Sequence, residues 1–194
     1  MKESHIEWAG RSVGPAVKSI KSTLALVVCA TAALAAQATD NRAPEVPQEI
    51  VVDSSTNVVH FHGFGVGFQI YTWNGTDWGR AVPQATLFDG DGVVATHFGV
   101  VTPQFTAPAW QSNSGSRVVG NLPPAAVTVD TNAIPWLRLE ALSTEGPGIF
   151  ANISFIQRVN TTGGKAPFTP GAFVGQVARV PYTADYFFYR PTKD

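Results

Sequence analysis

Apolar and polar residues alternate in short runs along most of this chain, which is the period of a strand with one buried face. Val58 to His62 places Val59 and Phe61 on one side and Val58, His60 and His62 on the other. Gly63 to Gly67 (GFGVG) interrupts that run and reads as a bulge or turn. Phe68 to Trp73 (FQIYTW) is β-branched and aromatic, and Asn74-Gly75 follows as a turn signal. Ala85 to Phe88 and Val93 to Phe98 flank Asp89-Gly90-Asp91-Gly92 as a hairpin, and Ala109 to Gln111 and Arg117 to Val119 flank Ser112 to Ser116 as another. Trp136 to Leu142 sets Leu137, Leu139 and Ala141 inward and Arg138 and Glu140 outward. Ile149 to Arg158 sets Ile149, Ala151, Ile153 and Phe155 against Asn152, Ser154 and Arg158. Ala184 to Tyr189 (ADYFFY) has aromatics on both faces, as a central strand covered on both sides would. Capped, 3.6-periodic stretches are lacking, so few helices are predicted. About eight strands with short Gly-rich links predict an all-β fold, an antiparallel β-sandwich or small β-barrel. Its core is predicted to hold Leu137, Leu139, Ile153, Phe155 and Phe188.

The N-terminal region breaks this pattern. Lys18 and Lys21 precede an apolar run from Leu24 to Ala36, and A-x-A exits follow at Ala33 to Ala35 and Ala36 to Ala38. Charge, short apolar core and small-residue exit predict a secretory signal peptide over residues 1–38. The run is shorter than the roughly 20 residues of a bilayer span, so no integral membrane span is predicted after cleavage. The Pro-rich residues 39–50 read as a flexible lead-in, and 51–194 as a single all-β domain. The product is predicted to be exported, periplasmic or secreted. The one cysteine, Cys29, lies in the leader behind Val28, which argues against lipidation, and its removal leaves the processed chain without disulfides. From Thr39 onward the chain has 9 Lys+Arg and 12 Asp+Glu, a net −3, with no basic cluster. That balance argues against nucleic acid and anionic membranes as partners.

Four segments together carry a resemblance: GVGFQIYTW (65–73), TAPAWQSNSGSRVVG (106–120), IPWLRLEA (134–141) with IQRVNTTGGKAP (156–167), and RVPYTADYFFYR (179–190). In this order they resemble the family of exported bacterial and fungal proteins called domain of unknown function 3455. The resemblance covers most of the chain beyond the leader and implies no catalytic residue. It does imply a cysteine after the QIY motif and another shortly after GGKAP. This chain holds Trp73 and the Gly171-Ala172-Phe173 stretch at those places, so both ends of any such bridge are absent together.

Candidate chemistry is sparse. His60 and His62 are two apart on a strand, a spacing that lets two imidazoles share one Zn or Cu ion, and His97 is the candidate third ligand. The alternative is a pair of solvated histidines on a half-exposed strand. No G-x-S-x-G elbow or other nucleophile triad is visible, so no catalytic residue is assigned. Asp89 and Asp91 are explained by turn chemistry and lack the acidic twelfth ligand of a calcium loop. Trp73, Trp78 and Trp110 lie near turns, where an exposed ring can stack on a sugar or another flat ligand, the alternative being core packing. These features predict a non-enzymatic extracytoplasmic module binding a small molecule, a glycan or an envelope protein, with no cofactor. The alternative is a small His-ligated metalloprotein, possible redox chemistry included.

Overall fold

The computed structural model describes residues 42–192; the leader and its cleavage positions lie outside the described residues. Among the described residues, a single 3-10 turn at Gln48–Ile50 is followed by nine strands. They are β1 (Asn57–Thr72), β2 (Val82–Asp89), β3 (Gly92–Val101), β4 (Thr106–Ser112), β5 (Arg117–Gly120), β6 (Ala125–Val127), β7 (Trp136–Glu145), β8 (Phe155–Gly163) and β9 (Val177–Pro191). All neighbours are antiparallel, in the order β5-β4-β3-β2-β1-β9-β8-β7-β6. β5 also pairs with β7, Arg117 opposite Glu145 and Gly120 opposite Ala141. That pairing closes eight strands into a barrel and leaves β6 as an extra strand on the first residues of β7. Closure decides between the two predicted architectures. It also removes the free edges that an open sheet would expose.

The hairpins at Asp89 to Gly92 and Ser112 to Ser116 fall where the turn residues placed them, with Gly92 and Gly115 at positive φ. Leu139 and Phe188 lie in the barrel interior, with Leu137 and Ala141 packed half-buried beside them, as the alternation predicted. The GFGVG run is not a break. β1 continues through it, and its glycines form part of the inner wall. A Cβ on Gly65 would stand 2.6 Å from the Tyr186 ring, and one on Gly67 would stand 2.4 Å from the backbone of Ala85. Only glycine lets the strands and that ring approach so closely. The irregularity in β1 falls earlier, where the ladder to β9 shifts between Val59 and Phe61 and skips His60.

One end of the barrel is filled. Residues 149–154 are not strand, as predicted, but the loop from β7 to β8, and it sends Phe150 and Ile153 inside. Phe150 packs on Phe188 with ring centroids 4.7 Å apart and edge-on to Phe61 at 6.0 Å. Arg190 holds this loop from β9, donating from Nε to the Ala151 carbonyl at 2.6 Å and from Nη2 to Gly148 at 2.8 Å. Because the strand starts only at Phe155, its facing is the reverse of the prediction. Ile156 and Arg158 point inward, while Phe155 packs on the outer wall.

The described part of the stretch read as a lead-in, with the residues just after it, lies across that outer wall. Ile50 and Val52 are buried there against Val159, Phe187 and Tyr189. Gln157, fully buried, donates from Nε2 to the Ile50 carbonyl at 2.6 Å and accepts from the Tyr189 hydroxyl, while Arg138 donates to the Val51 carbonyl. This strap explains why β9 is aromatic on both faces. Tyr186 and Phe188 fill the barrel, and Phe187 and Tyr189 lie under the strap.

Candidate functional site

The opposite end of the barrel, where β1 finishes and β2 begins, is not filled. A cavity of about 250 Å³ lies there, inside the wall of strands. An eight-stranded barrel has an interior just wide enough for its own side chains or for one small ligand. Here Phe61, Phe150 and Phe188 fill the far end, and the glycines of β1 add no volume. The cavity walls are largely apolar: Pro83, Pro108, Leu122, Ile134, Leu137 and Leu139. Solvent-exposed Arg80 stands among its lining residues and marks the way out.

A compact polar group forms part of the cavity lining. His97 of β3 pairs across the ladder with Trp110 of β4, and their rings stack with centroids 4.2 Å apart and planes 4° from parallel. Tyr186 of β9 stands edge-on to both, at 5.3 Å from His97 and 5.6 Å from Trp110. Arg158 of β8 pairs with Tyr186 in the ladder and donates from Nη2 to the Pro135 carbonyl at 2.8 Å. Gln69 and Tyr71 of β1 complete the set, the Tyr71 hydroxyl donating to the Gly164 carbonyl at 2.7 Å.

Burial fixes the ionisation of these groups. It pushes the His97 imidazole down to about 3, with the Arg158 charge adding to the effect and the hydrogen bond to the Ala109 carbonyl opposing it. His97 is therefore neutral at ordinary pH. Its Nδ1 lies 2.9 Å from the Ala109 carbonyl oxygen, an acceptor, so Nδ1 carries the proton and Nε2 is left as an acceptor. Burial likewise raises the phenols of Tyr71, Tyr182 and Tyr186, which stay neutral. The hydroxyls of Tyr182 and Tyr186 satisfy each other at 3.0 Å.

Three polar atoms of the lining are not satisfied. Gln69 Nε2, Trp110 Nε1 and Arg158 Nε are buried without a hydrogen-bond partner. Gln69 is 3% exposed and Trp110 1%. All three are N–H donors. Leaving a buried donor unpaired costs about 1–3 kcal/mol, and here three such donors belong to residues that line one cavity.

The residues singled out from sequence are distributed as follows. Trp110 and His97 are together in the cavity lining. Trp73 and Trp78 pack on each other at the same end, centroids 5.4 Å apart, with Trp78 Nε1 donating to the Thr169 carbonyl at 3.0 Å; neither lines the cavity. His62 stacks face to face on Phe187 at 4.1 Å on the outer wall and pairs with Asp185 at 2.9 Å. His97 faces the interior, so the barrel wall separates it from His62. His60 occupies the β-bulge, where strict alternation with His62 does not hold. Burial and the nearby Arg190 charge lower its pKa. Among the described residues, no group of three His, Cys, Asp or Glu side chains converges on one point.

The model of a protein family described as protein of unknown function (DUF3455) matches residues 53–190, the whole barrel from the threshold of β1 to the end of β9. The chain belongs to that family. This DUF3455 member gives no match among curated proteins or solved structures. Among its described residues no helix is long and apolar enough to cross a membrane. The strap at Ile50 and Val52 precedes the matched region, whereas every polar group of the cavity falls within it.

Gln69 and Arg158 were not singled out by sequence reasoning. Both were legible in principle. Gln69 shares its strand face with Phe61 and Tyr71, a polar residue on a core face. Alternation counted from an inward Phe155 turns Arg158 outward, and a one-residue error of facing moves every side chain of a strand to the other side.

Proposed function

We propose that this protein is an exported small-molecule binding module that holds its ligand within the open end of the barrel. The observation that carries the reading is the set of three buried, unpartnered donors, Gln69 Nε2, Trp110 Nε1 and Arg158 Nε, around one largely apolar cavity. Apolar walls with a few convergent polar groups are the usual make-up of a small-molecule site. Its volume of about 250 Å³ lies just below the about 300–1,000 Å³ typical of such sites, which favours a small ligand over a glycan chain or a protein segment. The leader at residues 1–38 supports export to the periplasm or the medium.

A fragment screen by two-dimensional ¹⁵N–¹H spectroscopy tests this reading, because Trp110 and Gln69 each carry an observable side-chain N–H. Ligands of the barrel are expected to shift the Trp110 indole and Gln69 amide signals together, in a saturable way. A broad screen in which these two signals never move, or move only with residues of the outer wall, rejects the reading.

A further inference from the structure

Resting on that binding reading, we infer that the ligand is a small organic monocarboxylate whose carboxylate group sits against Arg158, Gln69 and Trp110, with its apolar body among the leucines and prolines of the barrel end. Three observations lead there. First, the unsatisfied atoms are donors only. A carboxylate accepts at two oxygens with about four lone-pair positions, so one such group can answer more than one N–H donor at once, where an amide or alcohol brings a donor of its own into a place already rich in them.

Second, the charge of the site is one-sided. The lining contains Arg158 and Arg80 and not one aspartate or glutamate. Arg158 has the Pro135 carbonyl on Nη2, but no carboxylate among the described residues is within ion-pair distance of it; Asp185 pairs with His62 and Glu145 with Arg117. The neighbours that could ionise do not compensate. Tyr182 and Tyr186 bond each other and stay protonated, and His97 is neutral. A guanidinium in apolar surroundings without a counter-charge is costly, and a bound anion relieves it through charge-assisted hydrogen bonds.

Third, the rest of the cavity selects against larger or more highly charged anions. Pro83, Leu122, Ile134, Leu137 and Leu139 offer no further donors for a phosphate or dicarboxylate. A second negative charge set against that apolar wall would be desolvated without a partner, Arg80 and Thr106 at its margin excepted. Arg80, exposed at the outer end, draws anions toward the entrance.

The test compares matched probes by calorimetric titration of the full-length chain: benzoate against benzamide, and hexanoate against hexanamide. Within at least one pair the carboxylate is expected to bind about tenfold or more tighter than its amide, the scale of one charged hydrogen bond. Arg158→Met, checked for folding by near-ultraviolet circular dichroism, is expected to bring the two members within about twofold. If Arg158→Met does not fold, the wild-type comparison decides by itself. Equal binding of acid and amide to wild type overturns the carboxylate inference while leaving the small-molecule reading in place. Failure of every probe, acid and amide alike, to bind or to shift the Trp110 indole signal overturns the inference and counts against the reading beneath it.

Discussion

His97 lies flat against Trp110 inside the barrel, ring centroids 4.2 Å apart, with its Nδ1–H bonded to the Ala109 carbonyl. Protonating this buried imidazole would place a second positive charge near Arg158. Its pKa falls from 6.5 in the unfolded chain to about 3 in the folded one. Below 6.5 the unfolded chain therefore binds the proton and the folded chain does not, so the stability from neutral His97 is fully present above 6.5 and is lost as pH falls toward 3. The expected slope from this one group is up to about 1.4 kcal/mol per pH unit. Urea titrations of wild type and His97→Gln at several values across that window measure it. Wild type should lose more stability on acidification than the variant, and parallel losses would show that His97 does not titrate as described.

Trp73 and the Gly171-Ala172-Phe173 stretch occupy the two places where the family resemblance implies cysteines, and Gly171 brings that stretch against Trp73. A Cβ on Gly171 would lie 2.4 Å from the Trp73 ring. The Trp73 backbone adds hydrogen bonds to this segment, accepting from Gly175 N at 2.8 Å and donating to the Gln176 carbonyl at 2.9 Å. An indole packed on a bare backbone thus ties the β8–β9 loop to the end of β1 without a disulfide. Gly171→Ala is expected to destabilise the protein by roughly 1–3 kcal/mol through overpacking, read as a drop in the denaturant midpoint. A change under about 0.5 kcal/mol, the range of an ordinary surface substitution, would mean that the loop yields freely and the contact ties nothing.

Gln157 is the link between barrel and strap. Replacing it by leucine keeps the volume but strands the Ile50 carbonyl and the Tyr189 hydroxyl, both of which it now satisfies. The expected loss is about 1–3 kcal/mol, with faster hydrogen exchange at the amides of residues 50 and 51, which bond back to Pro47 and Gln48. Unchanged exchange in that segment would show that apolar contacts at Ile50 and Val52 hold the strap without Gln157.

The strand content, the two tight hairpins and the facing of β7 were legible because each follows from local alternation and turn residues. Leu137, Leu139 and Ala141 face inward as their spacing dictates. GFGVG was read as a break because a glycine carries no polarity signal. That Gly65 is an inner-wall position emptied for a ring appears only when Tyr186 arrives from the far end of the chain. Phe155 was misfaced because Phe150 and Ile153 reach the interior from a loop, which mimics strand periodicity across a true strand start. The candidate site was half legible. His97 and Trp110 stood out by residue type, but as members of different hypothetical sites, and Arg158 was hidden by the facing error. Barrel closure through β5 and β7 joins segments about whose pairing neither one's sequence says anything.

On the binding reading proposed above, the unpaired donors of the barrel end await an acceptor carried by a small molecule. A crystal structure of the protein soaked with benzoate tests it most directly. The expected result is the ligand seated among Gln69, Trp110 and Arg158, with carboxylate oxygens at hydrogen-bond distance, about 2.7–3.2 Å, from Gln69 Nε2 and Trp110 Nε1, and its ring against Leu137 and Leu139. A cavity that holds only ordered water bonded to those three donors, with benzoate absent or scattered over the outer surface, would contradict it.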